Sequence, residues 1–152
     1  MAHLELKIPP VLVTALFGFF MWATTLVVPG SGLPLWLRGT AFGLGCGAGA
    51  FFIATGVLSF RRAGTTVNPL APGATTFVTT GIYRRSRNPM YVGLLLLLVG
   101  WGLLLANVGA LLWTALFVPY ISRFQIQPEE RALEKRFGEA FTSYKKKVPR
   151  WL

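Results

Sequence analysis

The sequence lacks most of the residues that catalytic and metal sites commonly use. It has no aspartate, one histidine (His3) and one cysteine (Cys46) among 152 residues. A Ser-His-Asp triad is excluded because the histidine lies in the first few residues of the chain and has no aspartate partner. Zinc sites of the usual Cys, His and carboxylate type are excluded as well, since no such cluster exists. An intramolecular disulfide is impossible, so the cysteine does not indicate a compartment.

Charge is also scarce, and what there is has mostly one sign. Charged residues make up 13% of the chain, about half the share usual in soluble domains. Hydrophobic residues make up 53%, mean hydropathy is +0.56, and the net charge is +10. Five glutamates supply all the acidic groups. This composition is typical of a small, basic membrane protein whose chemistry depends on Glu, Arg, Asn, Tyr or a cofactor.

Three long uncharged runs predict the membrane segments. They cover residues 8–37, 39–60 and 88–122, and roughly 20 helical residues cross a bilayer core. The sequence PGSGLP at 29–34 ends the first helix, and Asn107-Val108-Gly109 divides the third run in two. We therefore expect an all-α integral membrane protein with four transmembrane helices in one domain, residues 1–152. The predicted elements are helices at about 9–28, 35–60, 89–106 and 109–125, a cytoplasmic loop at 61–88, and a C-terminal amphipathic helix at about 128–145.

The distribution of basic residues predicts the orientation. Fourteen of the fifteen Lys and Arg residues fall on one side of this arrangement, and only Arg38 falls on the other. By the positive-inside rule both termini and the 61–88 loop are cytoplasmic. We expect a multi-pass protein of a prokaryotic cell membrane whose basic face lies against anionic lipid. A nucleic-acid partner is not expected, because the bases follow the membrane topology.

Glycines of the second predicted helix recur every four residues in two overlapping series. One comprises Gly39, Gly43 and Gly47, and the other Gly45 and Gly49. Small residues at this spacing favour close helix packing in lipid. They could also leave room for a ligand or lipid groove, and they could serve a dimer as well as a monomer, so the oligomeric state stays open.

Two features at the cytoplasmic side admit either a structural or a functional interpretation. Asn88 precedes Pro89, which suits an N-cap followed by a proline in the first helical turn. Glu129 and Glu130 lie in the first turn of the predicted C-terminal helix, where carboxylates complement the helix dipole. The same two acids could instead hold hydroxyl or ammonium groups of a cofactor. Gly138 weakens that helix midway.

Two segments together resemble a known superfamily. These are VTTGIYRRSRNPMYVG at 78–93 and PEERALEKRFGEAFTSYKKKVPRWL at 128–152. They resemble the isoprenylcysteine carboxyl methyltransferase and phospholipid methyltransferase superfamily of membrane enzymes, over roughly Asn68 to Leu152. The resemblance implies S-adenosylmethionine as cofactor, bound on the cytoplasmic side. The residues that match the superfamily's cofactor contacts are Asn68, Thr75, Thr76, Phe77, Val78, Tyr83, Asn88, Pro89, Met90, Tyr91 and Glu129.

The chemistry of the cofactor adds to this assignment. Arg87 can pair with the cofactor carboxylate through charge-assisted hydrogen bonds. Methyl transfer needs alignment and exclusion of water more than a strong acid or base, so it suits a chain with these absences. An amine or phenol acceptor must lose a proton, and Glu130 is then the candidate base. No metal is expected.

The acceptor is less determined. Gln125 stands where the eukaryotic enzymes of the superfamily have a substrate-binding arginine, and Arg123 could take that role. An isoprenylcysteine carboxylate, a phospholipid amine, a phenolic lipid and a small thiol all stay open. Two other functions are also possible: an NADPH-dependent reductase of the sterol-reductase type, and a membrane scaffold without enzymatic activity.

Overall fold

The computed structural model describes residues 5–66 and 76–152. Within these ranges the chain is helical and contains no strand, as predicted. The helices are α1 Pro10–Thr24, α2 Leu35–Arg62, α3 Pro89–Leu105, α4 Val108–Ile121, α5 Gln127–Phe137 and α6 Glu139–Lys147. A 3-10 turn at Gly81–Arg84 precedes α3, and a π-helical turn at Ser122–Ile126 joins α4 to α5. Asn68 and Thr75 lie outside the described residues.

The predicted order of four apolar helices is confirmed. Because Pro29 disfavours a helical conformation at the residue before it, α1 stops short of the predicted residue 28 and ends at Thr24. Of the helices described, α2 has the length and apolar character needed to cross a bilayer, whereas α1 and α3 are shorter apolar helices. Large apolar side chains are nevertheless exposed along α1, α2 and α4, including Phe19 and Leu112.

The prediction of one continuous C-terminal helix at 128–145 is wrong. Gly138 has φ +52°, a conformation that glycine adopts without steric cost, and it divides the segment into α5 and α6. The predicted break between 125 and 128 is absent as well. Pro128 has no N–H, and the π-helical turn carries the chain from α4 into α5 without an interruption.

The two glycine series on α2 have different environments. A Cβ atom at Gly45 would lie 2.7 Å from Gly100 Cα, and one at Gly49 would lie 2.8 Å from the carbonyl oxygen of Gly93. Gly39, Gly43 and Gly47 have no such neighbour within 4 Å. The Gly45 series is therefore the face on which α2 packs against α3, and only that series requires glycine for close approach.

A short turn joins α3 to α4 at the end of the molecule that carries Arg38. Ala106 adopts a left-handed conformation with φ 51°, and Asn107 caps α4 by accepting a hydrogen bond from Ala110 N at 2.9 Å. Arg38 Nε donates to the carbonyl oxygen of Leu104 at 2.6 Å. These bonds use the backbone groups freed at the turn and hold the α3–α4 hairpin.

Candidate active site

A cavity lies at the opposite end of the molecule, between the 3-10 turn, the start of α3 and the two C-terminal helices. It comprises about 750 Å³ of space, part of it open to solvent. Its lining combines aromatic rings with a small set of charged and amide groups. The lining residues are Phe60, Thr66, Thr76, Phe77, Val78, Tyr83, Arg87, Asn88, Met90, Tyr91, Glu129, Glu130, Leu133, Phe137, Phe141 and Tyr144. We call it the polar cavity.

Glu129 presents a carboxylate to the polar cavity. Its Oε1 accepts a hydrogen bond of 2.8 Å from the Tyr91 hydroxyl, which fixes its position over the start of α3. Burial raises the pKa of Glu129 to about 7, and the neighbouring Glu130 adds to the shift, although the Tyr91 hydrogen bond opposes it. Among the described residues Glu129 has no salt bridge, so its charge is available to a cationic ligand.

Glu130 lies between two arginines. Arg150 binds both of its oxygens, with Nη2 at 2.7 Å from Oε2 and Nε at 3.2 Å from Oε1. Arg87 Nη2 lies 3.2 Å from Oε1. The carboxylate is buried, and this double pairing compensates the cost of burying its charge.

Two hydrogen-bond donors of Arg87 have no partner among the described residues. These donors are Nε and Nη1, both of them buried, and the side chain as a whole is 11% exposed. Buried polar groups are normally satisfied, and a charged donor left unpaired is costly. Arg87 is also one of the charged residues that line the polar cavity.

The end of the chain completes this side of the cavity. Arg87 N donates to the carbonyl oxygen of Pro149 at 3.0 Å, and Asn88 Nδ2 donates to that of Arg150 at 2.9 Å. Asn88 occupies the N-cap position of α3 and Pro89 its first turn, as the capping interpretation predicts, but the Asn88 side chain makes no cap hydrogen bond. We call residues 148–151 together with Arg87 and Asn88 the C-terminal clasp, because the end of the chain holds the two residues that precede α3.

An aromatic wall faces the charged groups. The Phe77 ring stacks on Phe137 with a centroid distance of 5.4 Å and contacts Phe141 and Tyr144 edge-on. The Tyr144 hydroxyl donates to the carbonyl oxygen of Tyr83 at 2.6 Å, which joins α6 to the 3-10 turn. Burial raises the pKa of Tyr144 to about 12, so its phenol stays protonated and donates.

The structure brings most of the predicted cofactor residues to this cavity. Its lining includes Thr76, Phe77, Val78, Tyr83, Arg87, Asn88, Met90, Tyr91 and Glu129, together with the predicted base Glu130. Pro89 is buried behind the lining and begins α3. The residues predicted from the sequence for this site do not include Arg150, Phe137, Phe141 or Tyr144, although the structure brings all four to it.

Comparison with known families agrees with this arrangement. The sequence profile of the phospholipid methyltransferase family matches residues 37–140, which is more than half of the chain. The chain belongs to the phospholipid methyltransferase family. The match begins in α2 and ends in α6, so it includes most of the elements that build the polar cavity.

Individual relatives cover less of the chain. An uncharacterized protein of Haemophilus influenzae is 48% identical over 63 residues, which are 41% of this chain and all of that protein. The protein-S-isoprenylcysteine O-methyltransferases of Schizosaccharomyces pombe and Homo sapiens are 40% and 38% identical over 73 and 74 residues. Those stretches are 47% and 49% of this chain, but only 30% and 26% of the two enzymes. No solved structure matches.

A second cavity of about 1210 Å³ adjoins the first in this member of the family. Met90, Tyr91 and Glu129 line both cavities. The remaining walls come mainly from the segment that leads into α1, with single residues from α2, α3 and the π-helical turn. They are Leu6, Lys7, Ile8, Pro9, Pro10, Val11, Ile53, Leu94 and Gln125. We call it the apolar cavity.

The two predicted substrate residues differ in their placement. Gln125 is buried and lines the apolar cavity, where its Nε2 donates to the carbonyl oxygen of Ile8 at 2.8 Å. Arg123 lines neither cavity and pairs with Glu5 at 2.7 Å, and Arg131 also pairs with Glu5. Glu5 thereby occupies both arginines of this region.

Proposed function

We propose that this protein transfers a methyl group from S-adenosylmethionine to a hydrophobic or lipid-borne acceptor. The observation that carries the proposal is the polar cavity itself. Among the described residues, two donors of Arg87 have no hydrogen-bond partner and the Glu129 carboxylate has no salt bridge, and an aromatic wall lines the same space. Family membership and the named methyltransferase relatives support the reaction class.

The donor groups of the cavity fit this cofactor. Arg87 would bind its carboxylate through Nε or Nη1, and Glu129 would accept hydrogen bonds from its ammonium group or ribose hydroxyls. The wall formed by Phe77, Phe137 and Tyr144 would take the adenine ring. When bound, the cofactor supplies an electrophilic methyl group on a sulfonium centre.

The residues of the chain would then contribute orientation more than acid–base chemistry. Displacement at a methyl carbon requires the acceptor atom in line with the breaking bond and water kept out. Where the acceptor must lose a proton, Glu129 is better placed than Glu130 to receive it. Glu129 lines both cavities and has a pKa near 7, whereas Glu130 is held by two arginines.

We also propose that α1 to α4 all enter the membrane, in one domain, with both termini and the polar cavity on the cytoplasmic side of a prokaryotic cell membrane. Apolar side chains exposed on α1, α2 and α4 support contact with lipid. Fourteen basic residues lie at or beyond the cavity end, and Arg38 lies at the other. Labelling of single cysteines at positions 31 and 146 in whole cells tests this topology.

Calorimetric titration of S-adenosylmethionine into the detergent-purified protein tests the proposed activity. We expect micromolar binding that Glu129→Ala abolishes and Glu134→Ala retains. Glu134 is a matched control because it lies on the same helix, is exposed and pairs with Lys145. NADPH is titrated in parallel. Binding of NADPH alone, or of neither compound to folded protein, would overturn the proposal.

A further inference from the structure

The segment that precedes α1 is fastened to the π-helical turn after α4. We call residues 5–9 the N-terminal strap. Leu6 N donates to the carbonyl oxygen of Phe124 at 3.2 Å, and the carbonyl oxygen of Ile8 accepts from Gln125 Nε2 at 2.8 Å. Four of the five strap residues line the apolar cavity, so the strap forms one wall of that cavity.

The strap begins with a carboxylate that is held between two guanidinium groups. Arg123 Nη1 lies 2.7 Å from Glu5 Oε1, and Arg131 Nη2 binds the other oxygen, Oε2. Arginine side chains bind the oxygens of carboxylates and of phosphates with the same geometry. Two arginines that converge on one oxyanion therefore form a place that a phosphate group fits as well as Glu5 does.

The positive charge around Glu5 exceeds what one carboxylate neutralises. Arg123 and Arg131 carry two charges, and Lys7 on the same strap is exposed and adds a third. In the described parts of the chain, Glu5 is the acidic side chain that pairs with either arginine. Three cations and one anion leave a charge of +2, which attracts a further anion.

The attachment of Glu5 is one that a competing anion can displace. Arg123 and Arg131 are both exposed, and ion pairs between exposed side chains contribute little to stability. Leu6 adds strain, because its φ of 58° lies in the left-handed region that leucine rarely adopts. Weak ion pairs therefore hold the strap in place next to a strained residue.

The arginine pair lies where two apolar helices end. The strap leads into α1, which begins at Pro10, and Arg123 follows α4, which ends at Ile121. In the proposed topology both helices enter the membrane at these residues, so the pair lies at the level of the head groups of the cytoplasmic leaflet. Basic side chains at this level attract anionic lipid.

We propose that Arg123 and Arg131 form a binding site for the phosphate of an anionic lipid head group. Glu5 occupies this site in the structure, and head-group binding displaces Glu5 and releases the strap. Anionic lipid thereby opens one wall of the apolar cavity. The inference uses the proposed membrane topology and does not depend on methyl transfer.

Competition between Glu5 and the head group is tested by native mass spectrometry of the detergent-purified full chain titrated with phosphatidylglycerol. We expect Glu5→Gln to tighten binding of the first lipid about tenfold, because it removes the internal competitor. The double variant Arg123→Gln/Arg131→Gln should weaken that binding about tenfold or more.

The control for the double variant is Lys135→Gln/Lys146→Gln. It removes the same two charges from exposed positions of α5 and α6, and we expect little change in lipid binding. Equal losses in the two double variants would show that only total surface charge matters and would overturn the site. Unchanged or weaker binding by Glu5→Gln would overturn the competition.

Release of the strap is tested by the rate at which N-ethylmaleimide labels Ile8→Cys, in a chain that also carries Cys46→Ala. Ile8 is partly buried, so the new thiol reacts slowly while the strap is fastened. We expect labelling about tenfold faster in phosphatidylglycerol nanodiscs than in phosphatidylcholine nanodiscs. Ala140→Cys, at an exposed position of α6, is the control and should react at similar rates in both. Equal rates for Ile8→Cys in the two lipids would overturn the release.

The source of the phosphate is tested in phosphatidylcholine nanodiscs with inorganic phosphate, against potassium chloride at the same ionic strength. We expect the two salts to have equal and small effects on labelling of Ile8→Cys, since both only screen the exposed ion pairs. Acceleration by inorganic phosphate beyond that by chloride would overturn the assignment to lipid.

Binding of S-adenosylhomocysteine, measured on the same samples, separates this inference from the proposed function. We expect Arg123→Gln/Arg131→Gln to leave it unchanged, because neither arginine lines the polar cavity. Failure of the nucleoside to bind to the parent protein would overturn the proposed function alone, since the competition and labelling results do not involve it.

Discussion

Each end of the chain is fastened by one glutamate that pairs with two arginines, and the two arrangements differ mainly in burial. In the segment that precedes α1, Glu5 binds Arg123 and Arg131, whose side chains are 45% and 55% exposed. At the C-terminal clasp, Glu130 binds Arg87 and Arg150, whose side chains are 11% and 34% exposed. The arginines that pair with Glu130 are therefore less exposed to water than the arginines that pair with Glu5.

The difference indicates distinct roles for the two ends. Exposed ion pairs contribute little to stability because water screens them, so the two pairs of Glu5 add little to the stability of the fold. A buried carboxylate that loses a partner leaves an uncompensated charge, so the clasp is part of the folded core of the polar cavity. Four predictions test this contrast.

The largest effect is expected from Glu130→Gln. The change leaves two arginines of the clasp without their shared carboxylate, one of them almost fully buried. We expect a loss of about 3 kcal/mol in the free energy of unfolding, measured by denaturant titration in mixed micelles. Glu134→Gln, on the same helix, is the control and should change stability little. Equal losses in the two variants would show that the clasp is not a buried ion-pair network.

Arg150→Met should change ligand selectivity more than stability. Without Arg150, Arg87 is the one remaining partner of the Glu130 carboxylate, which can then turn toward an unpaired donor of Arg87 and remove that donor from the cofactor carboxylate. We expect binding of S-adenosylhomocysteine to weaken by about ten- to a hundredfold, the value of a charge-assisted hydrogen bond.

Binding of 5′-methylthioadenosine, which lacks the amino acid end, should stay unchanged in Arg150→Met. Arg150→Lys, which keeps the charge, should retain part of the affinity for S-adenosylhomocysteine. A parallel loss of both nucleosides would mean that Arg150 only supports the fold.

Acidic pH should weaken cofactor binding through Glu129. The pKa of this carboxyl is raised to about 7, and only the ionised form attracts an ammonium group. Binding of the ammonium group therefore releases a proton from Glu129, and the affinity for the cofactor falls as the pH drops through 7. We expect affinity for S-adenosylhomocysteine to be about tenfold lower at pH 6 than at pH 8, measured by calorimetry.

Glu129→Gln should bind weakly at both pH values and show no such dependence. Glu5 cannot produce the effect, because its arginine partners lower its pKa and keep it ionised over this range. An unchanged pH profile in Glu129→Gln would assign the titration to another group.

The smallest effect on stability is expected from Glu5→Gln. Both ion pairs lie at the surface, so thermal unfolding should change far less than in Glu130→Gln. Affinity for S-adenosylhomocysteine should also stay at the parent value, because Glu5 does not line the polar cavity. Unfolding comparable to that of Glu130→Gln would remove the contrast between the two ends.

Much of the helical framework could be predicted from local sequence. Uncharged runs and the breaks at 29–34 and 107–109 located α1 to α4 to within a few residues, because proline, glycine and asparagine act on the chain next to them. The C-terminal region was less accessible. Whether Gly138 weakens a helix or divides it depends on how Phe137 and Phe141 pack, which is a tertiary matter.

The candidate site shows the same limit. The polar motif residues around Asn88 and Glu129 could be found from the sequence, but their partners could not. Asn88 has the sequence context of an N-cap, yet it bonds to the backbone of Arg150, 62 residues away. From the sequence Glu130 is a candidate base, yet in the structure it pairs with Arg87 and Arg150, which are distant along the chain.

The sequence by itself determined the helical and apolar character of the chain, the separation of charge between its two ends, and the motif that identifies its family. These properties follow from composition and from neighbours along the chain. The tertiary structure alone decided which of two adjacent glutamates is unpaired, which glycines face a helix, and which arginines keep free donors. Those outcomes depend on contacts between distant residues, because burial and pairing are set only when the chain ends meet the helices.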